Sequence, residues 1–161
     1  MRLPLVITLG AMAALAWLAS SHADPQPTVD YPQGFTRWTH VTTGLIGPGN
    51  PAYAHFGGFH DVYANAKAIE GYGAARFADG AVLVFDVHEA KTVQDAASPG
   101  ARRLVDVMVK DRVRFGSTGG WGFAEFPAGA REPQGLQPAN ACYSCHATRE
   151  KQDHVFTRLS D

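Results

Sequence analysis

The sequence predicts an α+β domain: an antiparallel β-sheet with a few helices, the last of which, near the C-terminus, carries a Cys-x-x-Cys-His motif. Three observations point there. Strand-like runs rich in Val, Phe, Trp and Thr recur at hairpin distances, without the long helical crossovers that parallel pairing requires. Between residues 37 and 126 no segment keeps a 3.6-residue apolar period long enough for a helical bundle. The 2 cysteines of the chain both lie in Cys142-Tyr143-Ser144-Cys145-His146, after a Pro- and Gly-rich loop.

Taken in order, residues 1–23 read as a secretory signal. Arg2 supplies the positive start, residues 3–18 are apolar, and Ser21-His22-Ala23 offers a small-x-small cleavage site. An apolar run of about 16 residues is short for a membrane span, which needs roughly 20. Cleavage leaves about 138 residues, the size of a single domain with a sizeable core. With 14 basic and 15 acidic residues in all, the chain has no electrostatic footprint for nucleic acid. After cleavage no membrane partner is expected either. Residues 24–34 read as a loose N-terminal arm, and residues 35–161 as the folded domain.

Within that domain, residues 37–43 have strand composition, and 44–51 form a turn-rich connection. Residues 55–63 are expected to be extended, with Phe59 and Tyr63 on one face and His60 and Val62 on the other. Asn65 is placed to cap a short helix that Gly71 and Gly73 should stop. Asp79-Gly80 turns the chain into the clearest strand, residues 81–87. A polar, alanine-rich stretch over 89–100 is expected to separate it from residues 104–110. There Val105, Val107 and Val109 share one face, while Asp106 and Lys110 share the other with Leu104 and Met108. Residues 121–126 make a further strand, and 139–151 a helix packed on the sheet. The tail, Asp153 to Thr157, is expected to return over apolar surface.

The motif at 142–146 is the attachment pattern for c-type haem: both thiols form thioethers with the porphyrin, and His146 ligates the iron from the proximal side. Two other readings compete. A redox disulfide of the thioredoxin kind belongs early in a βαβ unit, and a zinc site needs two more cysteines or a spaced histidine pair. Export supports the haem reading, because c-type haem is attached outside the cytoplasmic membrane. One covalent haem c per chain and a periplasmic location follow.

Phe77-Ala78-Asp79-Gly80 leading into Val82-Leu83-Val84, then Val109-Lys110-Asp111, Gly120-Trp121-Gly122-Phe123, the terminal CxxCH and Asp153-His154-Val155-Phe156-Thr157 form an ordered set. Over residues 38–157 this set resembles the cytochrome P-460 family. The resemblance implies one of two types. Cytochrome P-460 proper oxidises hydroxylamine and carries a lysine bonded to its haem. The c′-beta type lacks that bond and binds nitric oxide and similar gases at a five-coordinate haem under a phenylalanine cap. The linking lysine is expected near Tyr72-Gly73-Ala74-Ala75, where there is none, so the sequence leans to the c′-beta type. Lys67 is the nearest alternative and reads as a solvated helix residue. Lys110 reads as a surface or ion-paired residue.

The sixth iron position decides the function. His40, His55, His60, His88, His154 and Met108 are candidate protein ligands, each more readily explained as surface, hydrogen-bonded or core residues, and the resemblance implies an open site. Phe56 and Phe85 are the expected cap, with Phe77 as a further haem contact. Asp106, Asp111 and Glu125 are candidate proton acceptors if hydroxylamine is oxidised, and Arg131 a candidate propionate contact. The ligand is expected to be nitric oxide or another small nitrogenous molecule. A six-coordinate electron carrier is the remaining alternative. A partner cytochrome and a homodimer formed through the sheet complete the expectations.

Overall fold

The computed structural model describes residues 28–133 and 139–159; the signal-like stretch and the start of the arm lie outside them. Five strands pair antiparallel in sequential order: β1 (Thr39–Ile46), β2 (Gly58–Ala64), β3 (Val82–Val93), β4 (Ala96–Lys110) and β5 (Trp121–Pro127). Helices α1 (Tyr53–Phe56) and α2 (Ala66–Ala74) flank β2, and α3 (Ala139–His146) follows the sheet. This is the α+β architecture that the hairpin spacing predicts.

Strand register fixes what each face presents, because side chains alternate along a strand. Phe85 lies opposite Val62 on β2 and Asp106 on β4, and Asp106 lies opposite Glu125 on β5. On this first face Val62, Leu83, Trp121 and Val155 form a core, under Ala68 of α2. The second face is covered by the N-terminal arm: Val84, Val105, Val107 and Phe126 pack with Val29 and Phe35. Burial on both faces explains the mostly apolar runs over residues 82–87 of β3 and 104–109 of β4, each broken by one aspartate. On the second face Asp86, 2 % exposed, receives a bidentate pair from Arg102 at 2.6 and 2.7 Å. Arg102 also lies over the Phe35 ring, so this pair is a packed structural element.

Several boundaries differ from those expected. Strand β1 starts two residues late and runs through the supposed turn to Ile46, while Tyr53–Phe56 is a helical turn ahead of β2. Helix α2 passes both glycines and ends at Ala74, with Ala75 in the left-handed conformation as its cap. Gly71 is required by packing: a Cβ there would stand 2.4 Å from the Phe77 ring. The stretch 89–100 is not a separator. It extends β3 and β4 into an exposed ribbon beyond the ends of β2 and β5, closed by Gln94 and Asp95, both with positive φ. That pair of left-handed residues makes the tight turn whose twist suits a two-residue hairpin. The motif helix ends at His146 and continues as a kinked 3-10 segment over Ala147–Gln152.

Asn65 holds three segments together. Its Oδ1 accepts from the N–H groups of Ala68 (2.9 Å) and Val82 (3.1 Å), and its Nδ2 donates to Gly80 O at 2.9 Å. Asn65→Ala should therefore lower stability by about 1–2 kcal/mol, read as a lower denaturation midpoint at unchanged slope.

Candidate functional site

Helix α3 lies against β5 on the face that carries Phe85, Asp106 and Glu125. The His146 ring sits 5.0 Å from the Phe123 ring and 5.0 Å from that of Phe156. Its Nδ1–H donates to the backbone carbonyl of His154 at 2.7 Å. A carbonyl can only accept, so the proton is on Nδ1 and the Nε2 lone pair is kept. Burial pushes the imidazole below its ordinary pKa, partly opposed by that hydrogen bond. A neutral ring anchored through one nitrogen is what ligation by the other requires.

The two thiols differ in setting. Cys145 is exposed and Cys142 half-buried. Burial, then the neighbouring Asp106 and Glu125 carboxyls, push the Cys142 thiol up to about 11. Redox-active CxxC pairs work through a lowered thiol pKa, so the shift here runs against the disulfide reading. Among the described residues no group of three or more His, Cys, Asp or Glu is placed to hold a metal ion.

Phe56 and Phe85 are brought together. Helix α1 sets the Phe56 ring edge-on to Phe85, centroids 5.7 Å apart, and His60 stacks on Phe85 at 4.6 Å. Phe77 is elsewhere: it is buried beneath α2, with ring centroids 5.4 Å from Trp121 and 5.2 Å from Tyr72. Its backbone N–H donates to Asp153 Oδ2.

The carboxylates divide in the same way. Burial and then the Glu125 charge push the Asp106 carboxyl up to about 8. Glu125 Oε2 lies 2.5 Å from His55 Nε2, joining a largely buried carboxylate (10 % exposed) to a half-exposed imidazole (47 %). Asp111 instead shapes a turn, accepting from the N–H groups of Val113 and Arg114. Asp106 Oδ1 and His60 Nδ1 are buried without hydrogen-bond partners, both on the Phe85 face. Orphaned polar atoms of this kind are costly. With the neutral His146 and the adjoining aromatic rings, they fit a large, mostly apolar group that has polar edges.

The other histidines are engaged. His40 pairs with Asp61 (3.1 Å), His88 with Asp86 (3.2 Å), and His154 Nδ1–H returns to the His146 carbonyl (3.3 Å). Met108 packs in the first-face core. Lys67 is exposed, its Nζ donating to Asp79 O at 3.2 Å. Arg131 stacks on Tyr31, 4.1 Å from the ring centroid. Lys110 is 3 % exposed and lies 2.6 Å from Asp153, so of the two readings offered for it the ion-paired one describes its place.

Sequence reasoning did not find the pairing of His55 with Glu125, which lie 70 residues apart. Nor did it find the contacts of Asp153. The available signal was Lys110 itself, a charged residue closing the apolar face of Leu104 and Met108.

Among curated proteins, none matches the chain. The profile of the Cytochrome P460 family matches residues 32–157, which span all five strands, α3 with its CxxCH motif and the returning tail. The family implies a haem cofactor, and the face assembled beneath α3 is suited to one. The chain belongs to the cytochrome P460 family.

Proposed function

We propose that this chain is a periplasmic mono-haem c-type cytochrome of the c′-beta type, whose haem is open on one side to nitric oxide or a similar small gas. Cys142 and Cys145 would hold the haem through thioethers, with His146 as its proximal ligand. When bound, the group supplies an iron centre that can take a diatomic molecule. The observation that carries the reading is the tautomer of His146: its Nδ1–H is committed to His154 O and its Nε2 is free.

The chain's own residues then set the conditions on the sheet face. Phe56 and Phe85 offer an apolar edge-to-face pair that disfavours polar molecules and excludes water. His40, His55, His88 and His154 are held by other partners, which leaves His60, its Nδ1 unpartnered on the Phe85 face, as the histidine that an open site requires to stay off the iron. A homodimer formed through the sheet and a partner cytochrome complete the proposal. Among the described residues no helix is long and apolar enough to cross a membrane.

The test is the absorption spectrum of the reduced protein with and without nitric oxide and carbon monoxide. The oxidised protein should be high-spin and five-coordinate, and both gases should alter the reduced spectrum. A reduced spectrum indifferent to either gas would overturn the open site.

Hydroxylamine oxidation is the second reading, and one observation favours it. Asp106, with Glu125 and His55 behind it, gives the face proton-exchanging groups that run from a buried carboxyl, held protonated near neutral pH, to a half-exposed imidazole. Peptide mapping discriminates the two, since a haem-linked lysine peptide is expected only of the enzyme.

A further inference from the structure

The segment after α3 bends sharply. Arg149 leaves helical geometry (φ −110°, ψ 25°), and Asp153 (φ 50°) and His154 (φ 67°) are two successive non-glycine residues in the left-handed region. Such conformations are unfavourable, and they persist only where the surroundings over-determine them. Here the far end of the sheet does so. Lys110 Nζ donates to Asp153 Oδ1 (2.6 Å), the Phe77 N–H to Asp153 Oδ2 (2.8 Å) and the Trp121 indole N–H to Asp153 O (2.8 Å). Lys110 Nζ also donates to Gly119 O at 3.0 Å and lies over the Trp121 ring. Gly119 backs onto the His154 ring, where a Cβ would come within 2.3 Å of His154 Nε2.

The outcome of this grip is the direction of one carbonyl. With the bend fixed, His154 O faces His146 Nδ1 at 2.7 Å, and the His154 ring returns a bond to the His146 carbonyl. Anchoring the tail does not call for such a device. Val155 is already buried in the first-face core, and the Tyr72 hydroxyl bonds Thr157 Oγ1 at 2.6 Å. A buried ion pair is moreover a weak stabiliser compared with apolar residues in its place.

We propose that the Lys110–Asp153 clamp is a positioning device for His146: by fixing the His154 carbonyl it sets the orientation and donor strength of the proximal imidazole, and so the strength of its bond to iron. The proposal rests on the reading of His146 as proximal ligand. Lys110 and Asp153 touch neither the iron nor its ligand, so they are positioning residues. An imidazole whose second nitrogen donates to a well-placed acceptor is a more basic ligand, which is how outer partners tune metal sites.

The test is the iron–histidine stretching band in the resonance Raman spectrum of the reduced holoprotein, with thermal unfolding measured alongside. Two variants weaken the clamp without leaving an unpaired buried charge: Trp121→Phe, which removes one donor to Asp153 O, and the double variant Lys110→Met with Asp153→Asn. The control is Val105→Ala, on the opposite face. In the clamp variants the band should move to lower frequency and broaden, while Val105→Ala lowers the unfolding temperature with the band in place. If the double variant does not accumulate, Trp121→Phe carries the test. Clamp variants that lose stability with an unmoved band would overturn the proposal. A wild-type protein with haem but no iron–histidine band would instead overturn the reading beneath it, a five-coordinate iron held by His146.

Discussion

Replacing Cys142 and Cys145 together by alanine is expected to leave no haem on the denatured chain, and the wild-type chain is expected to keep one through boiling in detergent. The loss should be complete, because these are the only cysteines in the sequence. The setting of Cys142 disfavours its use as a redox nucleophile. Cys142 is held protonated by its buried, carboxylate-flanked setting, and a thiol pushed up to about 11 contributes almost no thiolate at neutral pH. Haem staining of denaturing gels, checked by the mass of the intact chain, reads the result. His146→Gly should behave differently: the covalent link persists and the visible spectrum changes. Haem that migrates with the denatured double variant would refute the attachment.

Asp106→Asn should change the pH dependence of stability more than any other single substitution on the sheet. In the unfolded chain Asp106 ionises near its ordinary value of 3.8, whereas in the fold burial and Glu125 raise its carboxyl to about 8. Below pH 4 both states carry the proton, and Asp106 contributes no slope. Between pH 4 and 8 the unfolded chain releases a proton that the folded chain keeps, so stability falls as pH rises; above pH 8 the loss is complete. Asparagine has no such titration. The variant should therefore be the more stable protein at pH 8–9, on the order of a few kcal/mol, with the two forms converging towards pH 4. Thermal or urea unfolding across that range measures the difference, and parallel pH profiles would exclude the buried carboxyl as its source.

The parts of the fold that could be read from sequence are those where one face is buried and the other differs from it. Val105, Val107 and Val109 alternate with Asp106 and Met108 because the two faces meet different cores, and β4 was legible for that reason. The ribbon over 89–100 was not legible because it buries neither face. Its alanines and polar residues carry no alternation, and its turn is made by Gln94 and Asp95 without a glycine. Helix α2 overran Gly71 because tertiary packing outweighed propensity: the Phe77 ring occupies the place of the missing Cβ. At the site, the CxxCH motif was accessible from local pattern, and the closeness of Phe56 and Phe85 was expected only from the family resemblance and the supply of aromatics. What holds His146 was not, since Asp153 joins Phe77 from 76 residues away and Lys110 from 43. Contacts of that range leave no periodic trace.

The strictly sequential strand order has one more effect, on how the segment that carries the motif is joined to the sheet. Every ladder of the sheet closes between neighbours in the chain, from β1 to β5, before α3 begins. No strand pairs with α3 or the tail, so the hydrogen-bonded ladders are complete without them. Cys142 and Cys145 thus lie on a segment that joins the sheet through side-chain packing and through the contacts of Asp153 with Lys110 and Trp121, not through a strand ladder.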